Sequence, residues 1–155
     1  MITYSKGDLF DRHGVLVIPV NTVGVTGAGL AKAWAKYAPD NARTYREFCA
    51  APPVPFEGGD ILMMSGTPPT ILVATKEHWR NPSRLEWIET GARHLAERSR
   101  EPINIPILIP QLGCGLGGLD WPDVRAILVK HLEPNTNNTY VLFGPAPVAE
   151  SEVAA

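Results

Sequence analysis

Val15-Leu16-Val17-Ile18-Pro19-Val20-Asn21-Thr22-Val23-Gly24-Val25-Thr26-Gly27-Ala28-Gly29-Leu30-Ala31 decides the fold of this chain. Its opening run, Val15 to Val20, is almost continuously apolar and β-branched, the pattern of a strand covered on both faces. A glycine-rich turn follows, and then a helix predicted from Gly29 to Tyr37. The pattern recurs late in the chain, where the apolar run Ile103 to Ile109 leads into Gly113-Cys114-Gly115-Leu116-Gly117-Gly118 and a helix from Pro122 to Leu132. Glycine lets backbone approach a ligand closely, and a following helix N-terminus turns unpaired N–H groups and partial positive charge toward an anion. Two such turns in one small domain predict a cleft that grips a diphosphate from both sides, with Lys76 available for chemistry between them.

Between these landmarks, strands are predicted at Asp60 to Ser65, Thr70 to Thr75 and Thr139 to Phe143, with a short one near Ile2 to Ser5. Further helices are predicted from Pro39 to Ala50 and from Pro82 to Arg98, with Leu85, Ile88, Ala92 and Leu95 on one apolar face. Pro39, Pro82 and Pro122 stand near first turns, where a missing N–H costs nothing, and Asp120 can cap the last helix. Gly66-Thr67-Pro68-Pro69 joins two strands as a hairpin, so the layered α/β sheet is mixed. After Phe143, Gly144-Pro145-Ala146-Pro147 opens a segment with no strand or amphipathic pattern, read as a flexible tail or the start of a linker over 145–155.

At 155 residues the chain fits one domain, able to bury an ordinary core without disulfides or metal. With charged residues at 19% and a formal net charge of −2, any nucleic-acid contact has to use a local basic patch, and duplex binding is disfavoured. Cys49 and Cys114 form no CxxC or Cys/His cluster of zinc spacing, so neither metal nor cofactor is expected. There is no signal-peptide pattern and no apolar run of membrane-spanning length, which points to a cytoplasmic protein without membrane contact, a monomer by default.

Lys76, one of only five lysines, falls directly after an apolar strand, where open α/β sheets place their ligands. It reads either as a solvated loop lysine or as a partly desolvated amine, nucleophilic toward a masked sugar aldehyde. His78-Trp79-Arg80, with Arg84 one turn on, interleaves an aromatic plane with cations, as single-strand binders do; a Trp covering a sheet edge beside a solvated helix start reads equally well. The Asn21 amide suits a vicinal diol or a held water, or the capping of its own turn. Asp8 can accept from an adenine amino group or terminate a turn. Cys114 reads as a small packing residue or a redox-sensitive thiol. Gly113, Gly115 and Gly118 spell GxGxxG, but a dinucleotide fold puts that turn in its first βα unit with an acid after the next strand; here it comes late and Glu133 follows a helix.

Four segments, Gly7-Asp8-Leu9-Phe10, Val20-Asn21 through Leu30-Ala31, Thr75-Lys76-Glu77-His78-Trp79-Arg80 and Gly113-Cys114 through Asp120-Trp121, carry a resemblance over residues 1 to about 144. Together they resemble the macrodomain of the DNA ADP-ribosyl glycohydrolase antitoxins, the DarG family. The Thr-Lys-Glu-His-Trp-Arg segment is similar to the lysine-dependent branch shared with terminal ADP-ribose protein glycohydrolase. The resemblance implies a three-layer α/β/α sandwich that binds ADP-ribose. In it Asp8 lies near adenine, Leu9 and Phe143 also contact ADP-ribose, Gly24, Val25, Thr26, Gly27, Gly29 and Leu30 with Gly113, Cys114, Gly115, Leu116, Gly117 and Gly118 surround the diphosphate and distal ribose, and Asn21 and Lys76 meet the scissile carbon. It implies as substrate ADP-ribose on thymine in single-stranded DNA, held by His78, Trp79, Arg80 and Arg84, and as partner a DarT-type toxin. Two positions depart from the pattern: Thr26 stands where relatives often carry Met, and Gly117 where the protein-directed relative has an acid that would resolve a lysine adduct.

Overall fold

The computed structural model describes residues 1–148; the last seven positions of the expected tail, 149–155, lie outside the described residues. Six strands form one sheet in the order β1-β6-β5-β2-β4-β3. They are β1 (Ile2–Ser5), β2 (Val15–Asn21), β3 (Ile61–Met64), β4 (Thr70–Lys76), β5 (Ile107–Ile109) and β6 (Tyr140–Phe143). All neighbouring pairs are parallel except β3 with β4, the expected hairpin, so the sheet is mixed only at its edge. The helices are α1 (Gly29–Tyr37), α2 (Pro39–Ala50), α3 (Leu85–Arg98) and α4 (Trp121–Leu132), with a 3₁₀ turn at Leu9–Asp11.

Every residue of β2 but Pro19 is buried, and the alternation of side chains divides the core in two. Val15 and Val17 point with Ile71, Val73 and Ile107 toward Ile88, Leu95, Val124 and Leu128 of α3 and α4. Leu16, Ile18 and Val20 point with Leu72 and Leu108 toward Trp34, Ala42 and Tyr45 of α1 and α2. This is the three-layer α/β/α arrangement that the resemblance implies. Burying both faces of the parallel strands is what lets them be apolar throughout.

Four local expectations need correction. Strand β5 covers only Ile107–Ile109 of the apolar run from Ile103, whose N–H is taken by Asn138 Oδ1 at 2.6 Å. Helix α3 begins at Leu85, not Pro82, because Ser83 is drawn out of helical geometry to donate its N–H to the Gly117 carbonyl at 3.0 Å. Asp120 occupies the N-cap of α4 without a side-chain bond; its carbonyl accepts from Asp123 and Val124 instead, each at 3.2 Å. At the other end of the domain, Trp121 Nε1 and Arg125 Nη1 donate to the Pro145 carbonyl at 2.8 and 3.0 Å, so the chain is held one residue beyond the expected boundary at 144.

The amino ends of the strands are closed by a polar knot. Asn138 donates to the carbonyls of Ser99 (2.6 Å) and Glu101 (3.0 Å), and the Met1 amine donates to the Asn138 carbonyl at 2.6 Å. Such bonds satisfy backbone groups that would otherwise be buried unpaired.

Glu89 clips α3 to α4 by accepting from Lys130 Nζ (2.5 Å) and His131 Nε2 (2.6 Å). The Lys130 bond, then the His131 bond, holds its carboxyl below the ordinary carboxylate range. A carboxyl depressed on folding adds stability above its unfolded pKa of about 4.3 and loses it as pH falls through the lower folded value. Glu89→Gln is therefore expected to be less stable than the wild type in urea at pH 7, with the gap closing by about pH 3; a gap that stays constant with pH refutes the clip.

Candidate active site

The carboxyl ends of β1, β6, β5, β2 and β4 lie along one edge of the sheet, and every candidate segment leaves from that edge. After β2 the chain turns to α1 on one face; after β5 it turns to α4 on the other. Neighbouring parallel strands whose connections diverge in this way leave a crevice at their carboxyl ends. Here the crevice is widened by sequence. The β2–β5 ladder runs only through Val15–Ile107 and Leu16–Leu108. Val15 donates toward β5 (to Pro106, 2.9 Å) and Leu16 toward β4 (to Pro69, 3.0 Å), so by alternation Pro19 presents its missing N–H to the β5 side. The strands part there, and the two glycine turns stand on either side of the opening.

The first turn is organised by Asn21. Its Oδ1 accepts from the N–H groups of Val23 (3.2 Å) and Val25 (3.1 Å), and its Nδ2 donates to the Val25 carbonyl (2.9 Å). Of the two readings open from sequence, this amide therefore caps its own turn, with only one Nδ2 hydrogen left for a ligand. Gly24 packs the turn on α2, since a Cβ there would meet Cys49 Cβ at 3.0 Å. Gly29, with φ +59 and nothing within 4 Å of an added Cβ, opens α1, whose N-cap Ala28 makes no side-chain bond. The first N–H groups of α1 thus face the crevice unpaired. Thr26 and Gly27 lie between, and Leu30 packs partly against the core.

In the second turn the glycines divide by task. Gly113 and Gly117 serve packing: a Cβ would stand 2.8 Å from Leu119 Cδ1 at Gly113, and 2.3 Å from Ser83 Oγ and 2.5 Å from the Gly113 carbonyl at Gly117. No larger residue fits at 117 without moving Ser83, whose contribution sequence reasoning missed because it arrives from a distant segment. Gly115 and Gly118 meet nothing within 4 Å and carry the open surface. Leu116 at the tip is 75% exposed and, with Val23 and Val25 across the opening, gives the crevice apolar lips. Burial, then the nearby Asp120 charge, pushes the Cys114 thiol up to about 11, which suits packing and not thiolate chemistry.

On the other side of β2, β2 and β4 pair in register to Val20–Ala74, and then a bulge sets Asn21 opposite Lys76 instead of Thr75. Bulges re-aim side chains beside functional sites. The half-buried Lys76 donates from Nζ to the Trp79 carbonyl at 3.2 Å, tying the amine to the loop that bears the aromatic group. In that loop His78 stacks on Trp79 at 5.4 Å, and the Arg80 guanidinium lies 4.6 Å from the Trp79 ring centre. Arg84 does not join this stack: it pairs with Glu86 at 3.2 Å and covers Trp87 at 5.1 Å. Thr22 Oγ1 bonds the Glu77 carbonyl at 2.8 Å, linking the first turn to the Lys76 loop.

The far end of the crevice widens into a depression of about 740 Å³ at the ends of β1 and β6, lined by Lys6, Gly7, Gln111, Phe143 and Gly144 among others. Neither Asn21, Lys76 nor any residue of the two glycine turns borders it. Asp8 lies beside it with Oδ1 taken by the Phe10 N–H (2.9 Å), and Arg12, unnoticed in the sequence, reaches within 5.8 Å of the Phe143 ring centre. The Leu9 side chain, at 4% exposure, belongs to the core, so it offers a ligand nothing beyond its backbone. Among the described residues no cluster of His, Cys, Asp and Glu could hold a metal ion, and no helix is long and apolar enough to cross a membrane.

The Macro domain family model matches residues 17–128, from β2 through most of α4. The chain belongs to the macrodomain family. It is 37% identical over 139 residues to a DNA ADP-ribosyl glycohydrolase of Thermus aquaticus, covering 86% of this chain and 38% of that protein. To the enzyme of the same description from Mycobacterium tuberculosis it is 34% identical over 150 residues, covering 94% of this chain and 43% of the relative. This macrodomain thus spans about two fifths of the length of those curated relatives. Among solved structures, the macrodomain of Thermus aquaticus DarG superposes with a TM-score of 0.84 at 34% identity, over 94% of this chain and 99% of that one. Thermosipho africanus DarTG in complex with ADP-ribose gives 0.81 at 28% identity, over 98% of this chain and 44% of that one.

The division of labour in the second turn is open to a direct comparison by thermal and urea unfolding. Gly117→Ala is expected to cost about 1–3 kcal/mol through overpacking against Ser83, whereas Gly115→Ala should stay within about 0.5 kcal/mol of the wild type.

Proposed function

We propose that this macrodomain is a DNA ADP-ribosyl glycohydrolase that removes ADP-ribose from thymine in single-stranded DNA and so counters a DarT-type toxin, as a monomer in the cytoplasm. The observation that carries the proposal is the β-bulge setting Lys76 beside Asn21, at the mouth between the two glycine turns. Support for the ligand comes from the similar DarTG structure that holds ADP-ribose, and support for the reaction from the curated relatives described as DNA ADP-ribosyl glycohydrolases.

ADP-ribose lies along the crevice with adenine toward Asp8 and Phe143. Its diphosphate sits between the open N–H groups of α1 and the exposed backbone at Gly115 and Gly118. The remaining Nδ2 hydrogen of Asn21 orients the distal ribose, and the Lys76 amine faces its anomeric carbon. Cleavage by one water breaks the bond between that carbon and the thymine nitrogen, with the water's proton returned to the base nitrogen and its hydroxyl left on the anomeric carbon. Lys76 either stabilises the departing charge or attacks the carbon of the opened ribose, the role expected of the lysine-dependent branch. With Gly117 walled off by Ser83, no carboxylate from the second turn assists. Trp79 and Arg80 hold the base and its strand by stacking and by phosphate contact, with His78 backing the indole; Arg84 adds a more distant positive charge.

Lys76→Ala is the decisive variant. Calorimetry with ADP-ribose should give an affinity within about threefold of the wild type, while release of ADP-ribose from a modified thymidine oligonucleotide falls by at least about 10³-fold, as loss of a nucleophilic or charge-stabilising group entails. Turnover equal to the wild type would remove the lysine from the mechanism, and binding of ADP-ribose without turnover in the wild type would make the domain a reader.

A further inference from the structure

Tyr45 is wholly withdrawn from solvent in the middle of α2, its ring edge-on to Trp34 at 6.1 Å. Its hydroxyl does not end in the apolar layer. It reaches the carboxyl end of β2, donating to the Asn21 carbonyl at 2.7 Å and lying 3.0 Å from Asn21 Oδ1. That same Oδ1 receives the N–H groups of Val23 and Val25. With the Val23 and Val25 N–H groups on Oδ1, Nδ2 donating to the Val25 carbonyl, and the single phenol hydrogen shared between the backbone carbonyl and Oδ1, the amide has one sensible orientation, and its uncommitted Nδ2 hydrogen points in a fixed direction.

We infer that Tyr45 is a positioning residue of the site: from beneath the first glycine turn, its hydroxyl sets the Asn21 amide and hence the course of Val23 to Val25 and the N–H offered beside Lys76. A phenol suits the task. It brings one donor on a rigid ring, and burial, with the Cys49 thiol adding to it, raises its pKa well above the ordinary tyrosine value, so it remains a donor across the working pH range. Phenylalanine would fill the same space but remove the bond that ties the end of β2 to α2, leaving the amide held by its own turn alone and that turn free to shift as a unit. Gly24 lies against Cys49 on the same helix, so the turn rests on α2 at two points, of which only Tyr45 provides a directional bond to Asn21.

This inference rests on reading Asn21 and Lys76 as the reacting end, and the test separates the two. The kcat on an ADP-ribosylated thymidine oligonucleotide and the affinity for ADP-ribose are measured for wild type, Tyr45→Phe, Asn21→Ala and the double variant. Ala42→Gly, one turn earlier on the same face of α2, serves as a purely structural lesion. Tyr45→Phe is expected to lower kcat about tenfold in the wild-type background and less than twofold in Asn21→Ala, because residues acting as a unit are not additive. Ala42→Gly should lower the melting temperature without lowering kcat. Hydrogen exchange should accelerate at the Val23 and Val25 amides in Tyr45→Phe, leaving those of β4 unchanged. Equal fold-losses in both backgrounds, or unchanged exchange at Val23 and Val25, would overturn the positioning role. If the wild type binds ADP-ribose but turns nothing over, the hydrolase reading fails alone, and the same four-way comparison of ADP-ribose affinities, with the exchange data, decides for or against Tyr45.

Discussion

Strands β2 and β5 separate after two paired residues, and the site depends on that parting. Pro19 makes it possible. A proline in a central strand is ordinarily excluded because it breaks a ladder, yet here the lost donor points to the side where the ladder has already stopped. The strand keeps its bonds to β4, runs on to Asn21, and delivers the first glycine turn to one lip of the opening while β5 delivers the second to the other. A one-residue slip of β2 would exchange its two buried faces and carry Asn21 away from the crevice, so the core that fixes the register also fixes the chemistry.

The glycines show how such an opening is kept both firm and accessible. Gly24, Gly113 and Gly117 are small because something presses on them: Cys49, Leu119 and Ser83. Gly29, Gly115 and Gly118 have open space where a Cβ would stand and leave backbone surface that a ligand can approach closely, although the Gly118 N–H itself closes the turn on the Gly115 carbonyl at 3.1 Å. Packing glycines hold the cradle in place, and open ones form its surface. The same economy governs Asn21, whose amide spends nearly all its capacity on its own turn.

Much of this was legible in the chain itself. The apolar runs placed all six strands, and the bounds of α1 and α2 follow from their turn residues. The position of Lys76 after a buried strand puts it at the carboxyl edge of the sheet, where the structure has it beside Asn21. Period and composition report local structure, so they missed whatever depends on a distant neighbour. Ser83 was invisible because its partner is Gly117, and it is that contact which delays α3. Leu9 looked like a ligand contact by its place in Gly-Asp-Leu-Phe, but the core claims it. Arg84 looked continuous with His78-Trp79-Arg80, but Glu86 and Trp87 draw it aside. The bulge that pairs Asn21 with Lys76 has no sequence signal at all, since both strands read as regular.

The two ends of the domain are unequal as points of attachment. Met1 is fastened at the amino pole of the sheet, opposite the crevice, whereas Pro145 is fastened on the rim of the depression beside Phe143. Cargo fused ahead of Met1 would have to replace one amine-to-carbonyl bond but would hang clear of the ligand path. Cargo fused just behind the domain would emerge beside the depression, and linker length there would govern how far that cargo crowds its mouth.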